Sequence, residues 1–263
     1  MNRIDSLFGQ KKKNVLAIYF TAGYPELNDT APTLAALQQA GADLVEIGMP
    51  FSDPLADGPV IQESSKTALQ NGMNISLLFD QLKNFREKIS LPVVLMGYVN
   101  PVMQFGVEEF AAKCSETGID GVILPDLPPE IYEQEFRAVF EKHGLHFIFL
   151  VTPRTPEQRV WHLAGLSKGF LYLVSSAGTT GGTGKFSVER ENALRIVSGY
   201  DLKIPVLTGF GIHDHGSFLS ATKYTNGAVV GSAFIRELAI SESTEAAARK
   251  IVSVRSPETI HHP

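Results

Sequence analysis

The chain has 263 residues, 44% of them hydrophobic and 19% charged, with a formal net charge of −5. That length suits one α/β barrel of roughly 250 residues, and the composition suits a globular chain with a sizeable core. The acidic balance excludes a nucleic-acid partner, since no basic excess exists to neutralise phosphates, and the single cysteine, Cys114, excludes an intrachain disulfide and a thiolate metal cluster.

The first residues, Met1-Asn2-Arg3-Ile4-Asp5, lack the apolar run of a leader peptide, and no stretch reaches the ~20 apolar residues of a membrane span. The expectation is therefore a cytoplasmic protein without membrane attachment. Ile4, Leu7 and Phe8 fit either a short helix packed beneath a barrel or a loose arm. Lys11-Lys12-Lys13, the one compact basic run, reads as a solvated approach to the first strand. Eight β-rich runs follow: Val15–Phe20, Asp43–Gly48, Pro92–Tyr98, Gly121–Pro125, His146–Val151, Phe170–Ser175, Pro205–Gly209 and Gly227–Gly231. Each is nearly continuous in Val, Ile, Leu and Phe, the pattern of parallel strands buried on both faces. Amphipathic stretches lie between them, among them Thr30–Ala40, Pro59–Gln70 and Val107–Thr117, with Cys114 as a small buried residue on the last. Gly41, Gly118 and Gly144 sit where a helix would end, and Asp29 and Ser187 where one would be capped. Ile75–Glu87 reads as an inserted helical segment. A doubly wound open sheet uses the same local grammar, but eight strands and no N-terminal G-x-G-x-x-G favour a single (β/α)₈ barrel over residues 1–263, with extra N-terminal and inserted helices.

Barrel active sites are built at the C-terminal ends of strands. Glu46 lies inside the otherwise apolar Leu44-Val45-Glu46-Ile47-Gly48. Such a carboxylate is either satisfied by neighbouring hydroxyls or is an acid/base tuned by burial. Asp57 ends a proline-stiffened loop, Pro50 to Pro59, and fits a catalytic carboxylate and the N-cap of the next helix equally well. Glycine turns follow the last three strands: Gly178-Thr179-Thr180-Gly181, Gly209-Phe210-Gly211 and Gly231-Ser232. The last two fall where barrels commonly hold phosphate, and Ser232 would open a helix Ala233–Leu238 whose N–H groups favour an anion. Ser175–Lys185 is either an irregular loop or a lid. Phe20, Tyr98 and Tyr172 stand near strand ends, as barrel packing or as walls for a flat apolar ring. His213-x-His215 has metal-ligand spacing without an evident third ligand, and His261-His262 is uninformative.

The segment Glu46-Ile47-Gly48-Met49-Pro50-Phe51-Ser52-Asp53-Pro54-Leu55-Ala56-Asp57-Gly58-Pro59-Val60-Ile61-Gln62 resembles the signature of tryptophan synthase α chains. The resemblance extends through Phe20–Pro25, Met96–Pro101, Pro125–Pro128 and Gly209–Ile212. It implies a (β/α)₈ barrel that cleaves indole-3-glycerol phosphate to indole and glyceraldehyde 3-phosphate. By the same resemblance Glu46 is the acid/base and Asp57 accepts the indole N–H. Phe20, Tyr98 and Tyr172 then line the indole pocket, and Thr180 and Gly181 belong to a lid. Gly181, Gly211, Gly231 and Ser232 contact phosphate. The lid departs from the family's usual Gly-Val-Thr-Gly, reading Gly178-Thr179-Thr180-Gly181 here. An aldol cleavage needs an electron sink, and no lysine occupies a strand end. Protonation at C3 makes the indole ring that sink, so two carboxylates suffice without metal or cofactor. The implied partner is a β subunit, in an α2β2 heterotetramer, which alone carries pyridoxal phosphate. The competing readings are a sugar-phosphate isomerase barrel and a catalytically silent barrel that only activates a partner.

Overall fold

The structure, a computed structural model, describes residues 1–174, 188–209 and 211–256. Among them nine parallel strands form one sheet: β1 Val15–Thr21, β2 Leu44–Gly48, β3 Val93–Met96, β4 Gly121–Ile123, β5 His146–Phe147, β6 Leu150–Val151, β7 Leu171–Val174, β8 Val206–Gly209 and β9 Gly227–Val230. Their order is β5-β4-β3-β2-β1-β9-β8-β7-β6. The two ends of that order, β5 and β6, are halves of a single run. Ile148 N donates to Val122 O at 3.1 Å and Tyr172 N to Phe149 O at 3.0 Å, which carries the hydrogen bonding from β4 across to β7. The sheet thus closes on itself as an eight-stave barrel whose fifth stave is split. The sequence shows one run over 146–151; the split arises where Phe149 N takes the Ser167 hydroxyl, 3.1 Å away, instead of a neighbouring strand.

Every residue of β1, β2, β8 and β9 is buried, as expected of strands covered by helices outside and side chains within. Gly41 and Gly118 end their helices in the left-handed conformation, at φ 95° and 86°, and Gly144 follows the helix Arg137–Lys142 at φ 71°. Asp29 occupies the N-cap position of Thr30–Ala40 without capping it; its Oδ2 accepts from Glu26 N at 3.1 Å, because the residue is already helical. Ser187 lies outside the described residues. The inserted segment is two pieces, Ile75–Gln81 and a 3₁₀ turn Phe85–Glu87, separated at Asn84 with φ 64°.

Below the strands, the helix Arg3–Gln10 closes the barrel, with Ile4 completely buried and Phe8 at 4% exposure. Gly121 and Gly169 leave room for Ile4; a Cβ at either would press into its side chain. Two carboxylates fasten this end. Asp120, 2% exposed, accepts from Arg86 at 2.5 Å, Arg3 at 3.0 Å and Val93 N at 2.8 Å. Asp43 accepts from Lys11 at 2.6 Å, Leu16 N at 2.8 Å and Arg255 at 3.2 Å, joining the two ends of the described chain. With the starting ends of its strands plugged, the described part of the barrel opens toward their C-terminal ends.

Candidate active site

At that open end lies a cleft with a cavity volume of about 120 Å³. Its walls come from β1, β3, β7 and β9, the loop after β2, and the turns after β8 and β9. Strand parity decides who reaches it. Tyr19 stands beside Glu46 in the β1–β2 register, so both side chains leave the sheet on the same face. The Tyr19 phenol lies over Gly48, where any Cβ would collide with its hydroxyl, and Tyr172 lies over Gly209 of β8 in the same way. Both rings wall the cleft.

The Phe20 expectation is corrected here. Phe20 is fully buried on the opposite face of β1, and its neighbour Tyr19 is the ring on the wall. β1 is buried at every position, so its sequence pattern does not tell the two faces apart.

Glu46 is 0% exposed, and neither carboxyl oxygen has a hydrogen-bond partner among the described residues. The hydroxyl-satisfied reading of this residue is therefore wrong. An ionised carboxylate in such a place is poorly solvated, and burial pushes its pKa up to about 8. At neutral pH the carboxyl is mostly protonated, a proton donor held in an apolar setting.

Asp57 lies on the cleft wall, half-buried. It is not a helix cap, because Gly58 occupies that position for Pro59–Gln70. Its carboxylate accepts a 3.0 Å hydrogen bond from the Tyr98 hydroxyl, which in turn accepts from Ala56 N at 3.0 Å. Burial raises the Asp57 pKa to about 6, and the Tyr98 bond opposes that rise. Burial, then the Asp57 charge, pushes the Tyr98 phenol well up, so it remains a donor. The predicted run Pro92–Tyr98 reached too far: β3 ends at Met96, and Tyr98 is the extended residue before the helix Val99–Phe105, with its ring 5.2 Å from Phe51. It holds Asp57 rather than walling the cleft.

The cleft wall also takes in the turns after β8 and β9. Gly211, at φ 75°, Gly231 and Ser232 all line it. Gly231 caps the helix Ser232–Ile240, whose first N–H groups have no partner within the helix and favour an anion. His213 Nδ1 donates to Gly211 O at 3.0 Å and braces that turn, while His215 Nδ1 turns away to Val254 O at 2.9 Å. The two imidazoles thus serve different carbonyls, and no metal-holding group of three or more His, Cys, Asp or Glu occurs among the described residues. Arg236, one turn into the helix, also lines the cleft. Sequence reading missed it, since nothing in Ala233–Leu238 marks which face looks inward. Thr180, Gly181 and the rest of Ser175–Lys185 lie outside the described residues, as do His261 and His262.

A family described as Tryptophan synthase alpha chain matches residues 6–261. The chain belongs to the tryptophan synthase alpha chain family. Relatives of that name from Flavobacterium psychrophilum and Flavobacterium johnsoniae are 52% and 51% identical, covering 90% and 92% of this chain and 94% and 96% of their own. Among solved structures, tryptophan synthase subunit alpha from Legionella pneumophila matches with a TM-score of 0.86 at 34% identity, over 97% of each chain. Much of the alpha-chain signature at 46–62 holds Asp57 in place. Phe51 packs on Tyr98, and Gln62 Nε2 reaches Asp57 O at 2.9 Å and Pro54 O at 3.4 Å. No helix among the described residues is long and apolar enough to cross a membrane.

Proposed function

We infer that this chain, as a tryptophan synthase alpha chain, cleaves indole-3-glycerol phosphate to indole and glyceraldehyde 3-phosphate, and that Glu46 and Asp57 carry the reaction. One observation supports this above the others: two carboxyls have pKa values pushed to about 8 and about 6, on either side of neutrality, Asp57 on the cleft wall and Glu46 paired in register with Tyr19 of that wall, and the same wall includes the first residue of a helix that favours an anion. Paired groups driven apart in this way mark acid and base roles.

Asp57, ionised, accepts the indole N–H and stabilises the positive charge that develops on the ring. Glu46, neutral, gives its proton to indole C3, and the cationic ring becomes the electron sink. The resulting Glu46 carboxylate takes the proton of the C3′ hydroxyl as the bond between C3 and C3′ breaks, the electron pair returning to the ring. One proton is given and one is recovered, so the site is ready for the next turnover. Tyr19 and Tyr172 flank the ring, Tyr98 orients Asp57, and Gly211, Gly231 and Ser232 bind the phosphate. Thr180 and Gly181 are assigned to the lid on the resemblance alone.

The reaction needs no metal and no cofactor in this chain; pyridoxal phosphate belongs to a β-subunit partner, in an α2β2 assembly. Leu55, Met103 and Ile131 are exposed at 92%, 56% and 36%, on segments following β2, β3 and β4 around the cleft mouth, which suits docking there. We take the whole chain as one cytoplasmic barrel domain.

The test is to mix the purified protein with indole-3-glycerol phosphate, with and without a β subunit, and follow glyceraldehyde 3-phosphate. Release is expected in both, faster with the partner. No release in either, or solvent-hydrogen exchange into a sugar phosphate without carbon–carbon cleavage, would overturn the assignment.

A further inference from the structure

The phosphate end of the cleft is walled mainly by glycines and by the first residues of the helix Ser232–Ile240. Amide groups alone would meet a dianion there, while Asp57, on the wall of the same cleft, opposes an anionic ligand when ionised. Arg236 changes this balance. It is the only lysine or arginine among the described residues of the cleft wall. It is also exposed, with no ion pair or hydrogen bond to any described residue.

Helix geometry brings it to the right place. Arg236 follows Ser232 by four residues, so the two share a face about 5–6 Å apart at Cβ. Side chains on a helix lean toward its N-terminus, so a long one at this position reaches back over the first turn. The neighbouring imidazole on this wall, His213, has its Nδ1 committed to Gly211 O at 3.0 Å and its Nε2 3.4 Å from Asp214. Arg236 therefore holds the one fixed positive charge on this wall that no described carboxylate neutralises. A guanidinium also presents a planar fork of donors matched to phosphate oxygens.

We propose that Arg236 is a phosphate-binding residue of this site, supplementing the backbone groups of Gly211, Gly231 and Ser232 and selecting substrates with a terminal phosphate dianion. This rests on the reading of the cleft as an indole-3-glycerol phosphate site, and the experiment separates the two. The variants are Arg236→Gln and Arg236→Lys. The measurements are steady-state cleavage of indole-3-glycerol phosphate and calorimetric binding of glycerol 3-phosphate to the free protein, at low and high salt. We expect Arg236→Gln to raise KM roughly tenfold while kcat changes far less, because a charge-assisted hydrogen bond to the phosphate is present in ground and transition states alike. Glycerol 3-phosphate affinity should fall in parallel, and its salt dependence should flatten. Arg236→Lys, keeping the charge, should recover most of the binding. A wild-type protein that cleaves substrate, with Arg236→Gln binding glycerol 3-phosphate equally well, would overturn the proposal and leave the reaction standing. A wild-type protein that binds glycerol 3-phosphate through Arg236 yet cleaves nothing would overturn the reaction and leave this residue's role standing.

Discussion

The Tyr98 hydroxyl donates to Asp57 Oδ2 at 3.0 Å, tying the end of the third stave to the loop that leaves the second. The bond favours the ionised form, opposing the burial that raises the Asp57 pKa to about 6. Removing the hydroxyl alone should therefore raise that pKa further. In Tyr98→Phe we expect the acid limb of kcat/KM to move up by about one unit, since hydrogen bonds to charged groups contribute about 1.5–3 kcal/mol. An unmoved limb would show that the phenol does not govern Asp57.

Activity should be confined to a window set by the two carboxylates. Asp57 must be ionised, so cleavage falls as pH drops through about 6; Glu46 must be protonated, so it falls as pH rises through about 8. A profile of kcat/KM from pH 5 to about pH 10 checks this, and a flat basic limb would remove Glu46 as the acid.

Glu46→Gln and Asp57→Asn should each reduce cleavage by about 10²–10⁴-fold while glycerol 3-phosphate still binds. The double variant should be little worse than either, since the groups act as a pair. Near-normal turnover in one variant would exclude that residue from the chemistry.

Glu46 also costs stability at alkaline pH. Its folded pKa is raised from 4.5 to about 8, so the folded state holds the proton more tightly than the unfolded chain. The stability linked to that proton is fully present below the unfolded value and lost as pH rises through about 8. Urea unfolding should find Glu46→Gln more stable than the parent at about pH 9 and nearly equal to it at about pH 5. Equal stabilities at both pH values would contradict the unsolvated burial of this side chain.

At the plugged end, Asp120 sits at 2% exposure between Arg86 and Arg3, and burial lowers the Arg86 pKa to about 10. Asp120→Ala leaves buried positive charge and the Val93 N–H without their acceptor. We expect a loss of about 3 kcal/mol in urea unfolding. KM should hold, because the cluster lies at the starting ends of the strands, away from the cleft. A KM change larger than the stability change would point to coupling along the barrel.

Alternating apolar and amphipathic runs made parallel strands covered by helices legible in the sequence, and their count of eight favoured a barrel over an open sheet. The sequence also located Glu46, whose charge interrupts an apolar strand, and the glycine turns at Gly211 and Gly231. Tertiary structure decided the rest. Phe20 and Tyr19 differ only in parity, and parity becomes a direction only once β1 is paired with β2. Asp57 fitted cap and catalysis equally until Gly58 took the cap and Tyr98, 41 residues away, supplied a donor. The split fifth stave and Arg236 were hidden for the same reason. Composition and spacing report which groups a segment carries, whereas the face each group meets depends on partners brought from distant parts of the chain.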